Sequence, residues 1–179
     1  RFLQSIGLLS VVYGVAAYLS LECMPLGGLG AALWPAAGVG AAGLLIGGGR
    51  LWPASPFGHP GAPPPSNTAY PPWADLALAC GAAFSTVIGI VLLRRWRIAS
   101  DLSNLISLLR FLMVAGLVKG MIGGAVAALV IRIWSAPPAG DLETLFAMWL
   151  ASEAAGVIVA GPLILSWRRG GTLEHPFYL

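Results

Sequence analysis

Apolar residues in this chain gather in long runs, with neither the alternation of a strand nor the polar stripe of a water-facing helix. Five runs stand out: residues 5–21, 30–49, 74–93, 111–134 and 142–167. Each comes close to the roughly 20 helical residues that a hydrocarbon core about 30 Å thick requires. A backbone in lipid must satisfy its own hydrogen bonds, and no β-barrel alternation is visible, so the runs read as helices. The pattern predicts an all-α integral membrane protein. It would be one polytopic domain over residues 1–179, a bundle of about five transmembrane helices with one Pro-rich irregular segment.

The second run is framed by a repeat: LWPAAGVGAAGLLIGGGRLWP, with Trp34-Pro35 at one end and Trp52-Pro53 at the other. Eighteen helical residues at about 1.5 Å each span roughly 27 Å, close to one hydrocarbon core. Indole rings favour the headgroup boundary. Pro35 fits the first turn of a helix, and Pro53 fits its stop. The frame therefore predicts one membrane pass with an anchor at each end. Most other tryptophans flank runs as well, whereas Trp149 lies deeper. The segment that follows, residues 53–72, carries eight prolines and excludes a regular helix. It reads either as an exposed loop or as irregular backbone packed against protein.

Composition agrees with the pattern. Charged residues make up 9% of the chain and hydrophobic ones 58%, where a soluble domain carries about 25% charged residues. The net charge of +3 comes from arginines at the ends of apolar runs. That placement indicates topology and gives no sign of nucleic-acid binding. With Arg1 cytoplasmic, a simple loop at residues 53–72 would put Arg94, Arg95 and Arg97 outside. Either that segment recrosses the membrane or the N-terminus is outside. Both alternatives place the short tail, residues 168–179, in the cytoplasm. Cys23 and Cys80 fit no metal spacing and are expected to be buried apolar thiols, with a disulfide between them as the other reading. His59 and His175 have no partner at a telling spacing, so no catalytic constellation appears. The sequence names no cofactor.

Small residues at four-residue spacing let membrane helices approach closely. Gly116, Gly120, Gly124 and Ala128 form one such stripe, Ala77, Gly81, Ser85 and Gly89 a second, and Gly43 and Gly47 a shorter third. They serve packing within the chain or association between copies. Lys119 and Glu153 are the charges deepest in apolar runs. Each costs about 2.5–3.5 kcal/mol to insert, so each needs a partner or a wet cavity. Their helices are consecutive and antiparallel, which allows them to pair. Pro162 removes a backbone hydrogen bond and should bend the last helix. The free N–H groups in the first turn of a helix starting at Pro35, preceded by Gly27, Gly28 and Gly30, offer a further place for an anionic group.

Three stretches, SVVYGVAAYLSLE, LWPAAGVGAAGLLIGGGRLWP and MWLASEAAGVIVAGPLILSW, together resemble the MASE1 domain, a bacterial membrane-associated sensor module. Trp34, Pro35, Gly38, Arg50, Trp52 and Pro53 carry the resemblance in the second element. Trp149, Glu153, Gly156, Pro162 and Leu163 carry it in the last. The chain departs from the family's usual pattern in having Glu at 153 for Asp, and Ser85 and Thr86 for a mid-helix Asn. It also has its proline-rich segment where a further apolar pass is usual. The resemblance implies a non-enzymatic input module in the bacterial inner membrane, coupled to a cytoplasmic output. Lys119, Glu153, Trp34, Pro35 and Trp149 are then the candidates for ligand binding or coupling. Two other readings stand beside it. A non-catalytic accessory subunit would dock other membrane subunits through its small-residue stripes. A component of a small-solute transporter would need more polar groups than the runs contain.

Overall fold

The computed structural model describes residues 2–23, 31–55, 72–96, 105–134 and 141–170. Among these residues there is no β-strand. The elements are α1 (Phe2–Cys23), α2 (Pro35–Gly47), a 3-10 turn (Gly49–Leu51), α3 (Pro72–Arg95), α4 (Leu105–Phe111), a π-helical segment (Leu112–Val118), α5 (Lys119–Trp134) and α6 (Leu142–Gly170). The helix α4, the π segment and α5 run on as one span. With it, α1, α3 and α6 are long and apolar enough to cross a membrane.

The helices pack in the order α1, α2, α6, α5, α3, with α2 and α6 at the centre. Helix α1 turns only Tyr13, Ala17 and Ser20 fully inward, a single i, i+4, i+7 stripe. Ile6, Leu9 and Leu21 pack partly against the core, whereas Leu8, Val11, Val15 and Leu19 are exposed. Lipid is their solvent, so such exposure is no penalty. Helix α2 is buried on nearly all sides, as an all-apolar helix of alanine and glycine can be. Close approach requires those glycines. A Cβ on Gly38 would come within 2.8 Å of Ala160 Cβ on α6, and one on Gly43 would overlap Leu9 of α1.

Helix α2 is shorter than its tryptophan frame predicts. It ends at Gly47 because Gly48 adopts φ +88°, a conformation open to glycine and rare for other residues. Thirteen residues span about 20 Å, less than a hydrocarbon core. The triple glycine that keeps the run apolar is thus also what breaks it. Trp34 is not an interfacial anchor either. It is 6% exposed and packs inside the bundle, whereas Trp52 is exposed. Cys23 and Cys80 are exposed free thiols, contrary to the expectation of buried ones. Cys80 shares the outward face of α3 with Leu76, Phe84 and Val91. The span made of α4, the π segment and α5 begins six residues earlier than the fourth apolar run, at Leu105. The proline-rich segment lies outside the described residues from 56 to 71. Helix α6 continues to Gly170, and the remainder of the expected tail, residues 171–179, lies outside them too.

Candidate functional site

The site forms where α1, α2, α5 and α6 meet. Helix α6 supplies most of it. Trp149, Ser152, Glu153 and Gly156 recur at three- and four-residue spacing and so share one face. From α5, Lys119 Nζ donates to Glu153 Oε2 at 2.6 Å, and both side chains are almost fully buried. The close approach depends on glycine on the facing surface. A Cβ on Gly120 would lie 3.6 Å from Glu153 Cβ, and one on Gly123 would lie 3.3 Å from Glu153 Oε1. A buried pair of this kind recovers its desolvation cost only through good geometry, and breaking one partner leaves the other charge stranded.

The Trp34-Pro35 turn seats directly on α6. The Trp34 N–H donates to the Ser152 carbonyl at 3.2 Å, and the Ser152 hydroxyl donates to the Ala31 carbonyl at 2.5 Å. Gly156 makes the contact possible, since any Cβ there would overlap the Trp34 carbonyl. Pro35 occupies the first turn of α2, where its missing N–H costs nothing. The start of α2 is therefore covered by α6 backbone, with Trp34 as its docking residue.

Above the ion pair, the rings of Trp34 and Trp149 meet with centroids 6.5 Å apart, tilted by 46°. The Trp34 indole and the buried Tyr13 hydroxyl share a side-chain hydrogen bond. Trp149 Nε1 is buried and meets no acceptor among the described residues. A cavity of ≈ 10 Å³ lies between these groups, bordered by Tyr13, Trp34, Gly123, Trp149 and Glu153.

The five candidates Lys119, Glu153, Trp34, Pro35 and Trp149 thus occupy one neighbourhood. The glycine stripes face neighbours within the chain, and Gly120 and Gly89 also border the ion pair. Gly116, Gly120 and Gly124 face Val157, Leu150 and Phe146 of α6. Gly81 faces Val126 of α5, Gly89 faces Lys119, Gly43 faces Leu9, and Gly47 faces Leu51. Ser85 is fully buried, but its hydroxyl and that of Thr86 both return to the Ala82 carbonyl, at 2.9 and 2.6 Å. Neither hydroxyl serves the ion pair. Sequence reasoning did not single out Tyr13, Ser152 and Gly123. Tyr13 had a signal as the polar ring within the first apolar run. Ser152 and Gly123 had none beyond adjacency to Glu153 and Gly124. Among the described residues, no group of His, Cys, Asp and Glu is placed to hold a metal.

Long apolar helices packed through glycine around a buried ion pair define an all-α, multi-pass membrane protein. The sequence profile of MASE1 matches residues 6–177, nearly the whole chain, and the chain belongs to that family of membrane-associated sensory domains. No curated protein and no solved structure matches it.

Proposed function

We propose that the chain is a membrane input module in which the Lys119–Glu153 pair couples a stimulus to the position of α6. The stimulus, a ligand or a membrane partner, acts on the Trp34-Pro35 turn and the aromatic pair above the charges. Helix α6 carries the change past Pro162 towards a cytoplasmic output at its C-terminal end, in the bacterial inner membrane. A stimulus shifts such an equilibrium only through different contacts in the two states. The seat of Trp34 on Ser152 and Gly156, one residue before and three residues after Glu153, supplies contacts that differ if α6 moves.

The observation that carries this reading is the buried ion pair at 2.6 Å, placed where the turn, α5 and α6 meet. Membership of a sensory family supports it. The test joins the whole chain to a cytoplasmic diguanylate cyclase reporter. Lys119→Met and Glu153→Gln are each expected to change reporter output about fivefold or more, the lower range of allosteric coupling. Unchanged output from both variants, at wild-type membrane levels, would overturn the proposal.

A further inference from the structure

We infer that the cavity beneath Trp34 and Trp149 is a binding site for one neutral, water-sized molecule. It accepts a hydrogen bond from Trp149 Nε1–H and donates one to the Glu153 carboxylate. The inference concerns the same site as the proposed coupling role and deepens it.

Three independent features point this way. The first is size. The cavity holds ≈ 10 Å³, about the lower limit for a single water and too little for any larger polar molecule. The second is the donor. Trp149 Nε1 is shielded from the surroundings and has no acceptor among the described residues, although Trp149 borders the cavity. Leaving a buried donor unmade costs about 1–3 kcal/mol, so an acceptor of the right size is favoured there. The third is the acceptor. An ionised carboxylate has about four lone-pair sites, and Lys119 engages Oε2. Gly123 and Glu153 both border the cavity, and a Cβ on Gly123 would lie 3.3 Å from Oε1, so the missing Cβ leaves that approach to the carboxylate clear.

Sign and shape narrow the ligand class. A cation is disfavoured, because Lys119 already neutralises Glu153 and the indole N–H would point its positive end at the newcomer. An anion is disfavoured by the carboxylate itself. Leu78, Ala82, Val126 and Ala127 complete the lining and offer no side-chain polar group. A molecule that both donates and accepts, at the size of water, fits every wall. Trp149 and Glu153, one turn apart on α6, would thereby be bridged, and the bridge explains an indole where a phenyl ring would fill similar space.

The test uses the full chain in lipid vesicles, with infrared difference spectra recorded in H₂O and in water labelled with ¹⁸O. An isotope-sensitive O–H stretch is expected in the wild type. It is lost in Trp149→Phe, which removes the donor, and in Gly123→Ala, which places a methyl group against Oε1. Ultraviolet resonance Raman spectra of wild type minus Trp149→Phe should show a hydrogen-bonded indole. A free-indole signature, or no isotope-sensitive band that either variant removes, overturns the inference. Should one variant fail to fold, the other decides. Loss of the band with an unchanged cyclase reporter in Lys119→Met and Glu153→Gln retains the water site and sinks the coupling role. A responsive reporter without the band does the reverse.

Discussion

A lysine and a glutamate in apolar runs are each too costly to leave alone, and in this fold each has the other. The intramembrane cost of a charge made Lys119 and Glu153 conspicuous in the sequence. What the sequence withheld was their surroundings: the Tyr13 hydroxyl, the Trp34 seat on Ser152, and the open flank at Gly123. Those depend on which helices meet, and apolar runs alone do not say which. The pair makes a direct prediction. Lys119→Met and Glu153→Gln should each destabilise the protein by about 3–5 kcal/mol, since each strands a buried charge. The double variant should lose much less than the sum. Helicity followed through SDS titration in mixed micelles measures all four corners of the cycle. Additive losses would show that the two charges do not interact.

Helix α6 meets the span of α4, the π segment and α5 at Phe111, Gly116, Gly120 and Gly124. Phe111 packs at Gly161, and the three glycines pack at Val157, Leu150 and Phe146. The spacing is five residues and then four and four. The five-residue step coincides with the π segment, Leu112–Val118, in which one extra residue is absorbed so that both ends keep facing α6. The sequence displayed the four-residue stripe from Gly116 onward, but the step of five before it has no compositional mark. Deleting Met113, half exposed on the outer face, should therefore convert the π turn to α-helix and keep the fold. Deleting the comparably exposed Met121 falls between Gly120 and Gly124 and should destroy the packing of α5. Yields of monodisperse protein in detergent compare the two, and equal loss would refute the inserted-residue account. The start of α6 offers a second test. Asp141, ahead of the apolar span, accepts from the Thr144 side-chain hydroxyl and, at 2.7 Å, from the Thr144 N–H, and these bonds, the hydroxyl's first, hold its carboxyl below the ordinary value of 3.8. A lowered folded pKa gives stability that is complete above 3.8 and lost as pH falls through the folded value. Wild-type thermal stability should therefore decline in that acid window, and Asp141→Asn should flatten the decline.

At the scale of the whole molecule, lipid as solvent was legible from the first run onward, and four helical stretches among the described residues are long and apolar enough to bear it out. The second run was legible as apolar but not as short, because three consecutive glycines read alike whether a helix continues through them or ends there. Gly48 at φ +88° ends it, and the resulting short helix becomes the core wedge between α1 and α6 where a full pass was expected. A wedge fixed by glycine contacts suits rigid-body motion, since packed interfaces switch between discrete arrangements more readily than they deform. If α6 shifts against the π segment when the ion pair changes, tying the two together must cancel the effect. A Cβ at Gly116 would lie 3.8 Å from Val157 Cβ, within the roughly 3.5–4.5 Å that a disulfide accepts. Gly116→Cys with Val157→Cys, in a chain whose exposed Cys23 and Cys80 are changed to Ser, supplies that tie. In the reporter fusion, Glu153→Gln should alter output when the pair is reduced and have no effect once it is oxidised. Output that responds equally in both states would mean that the signal leaves the ion pair by some route other than sliding at this interface.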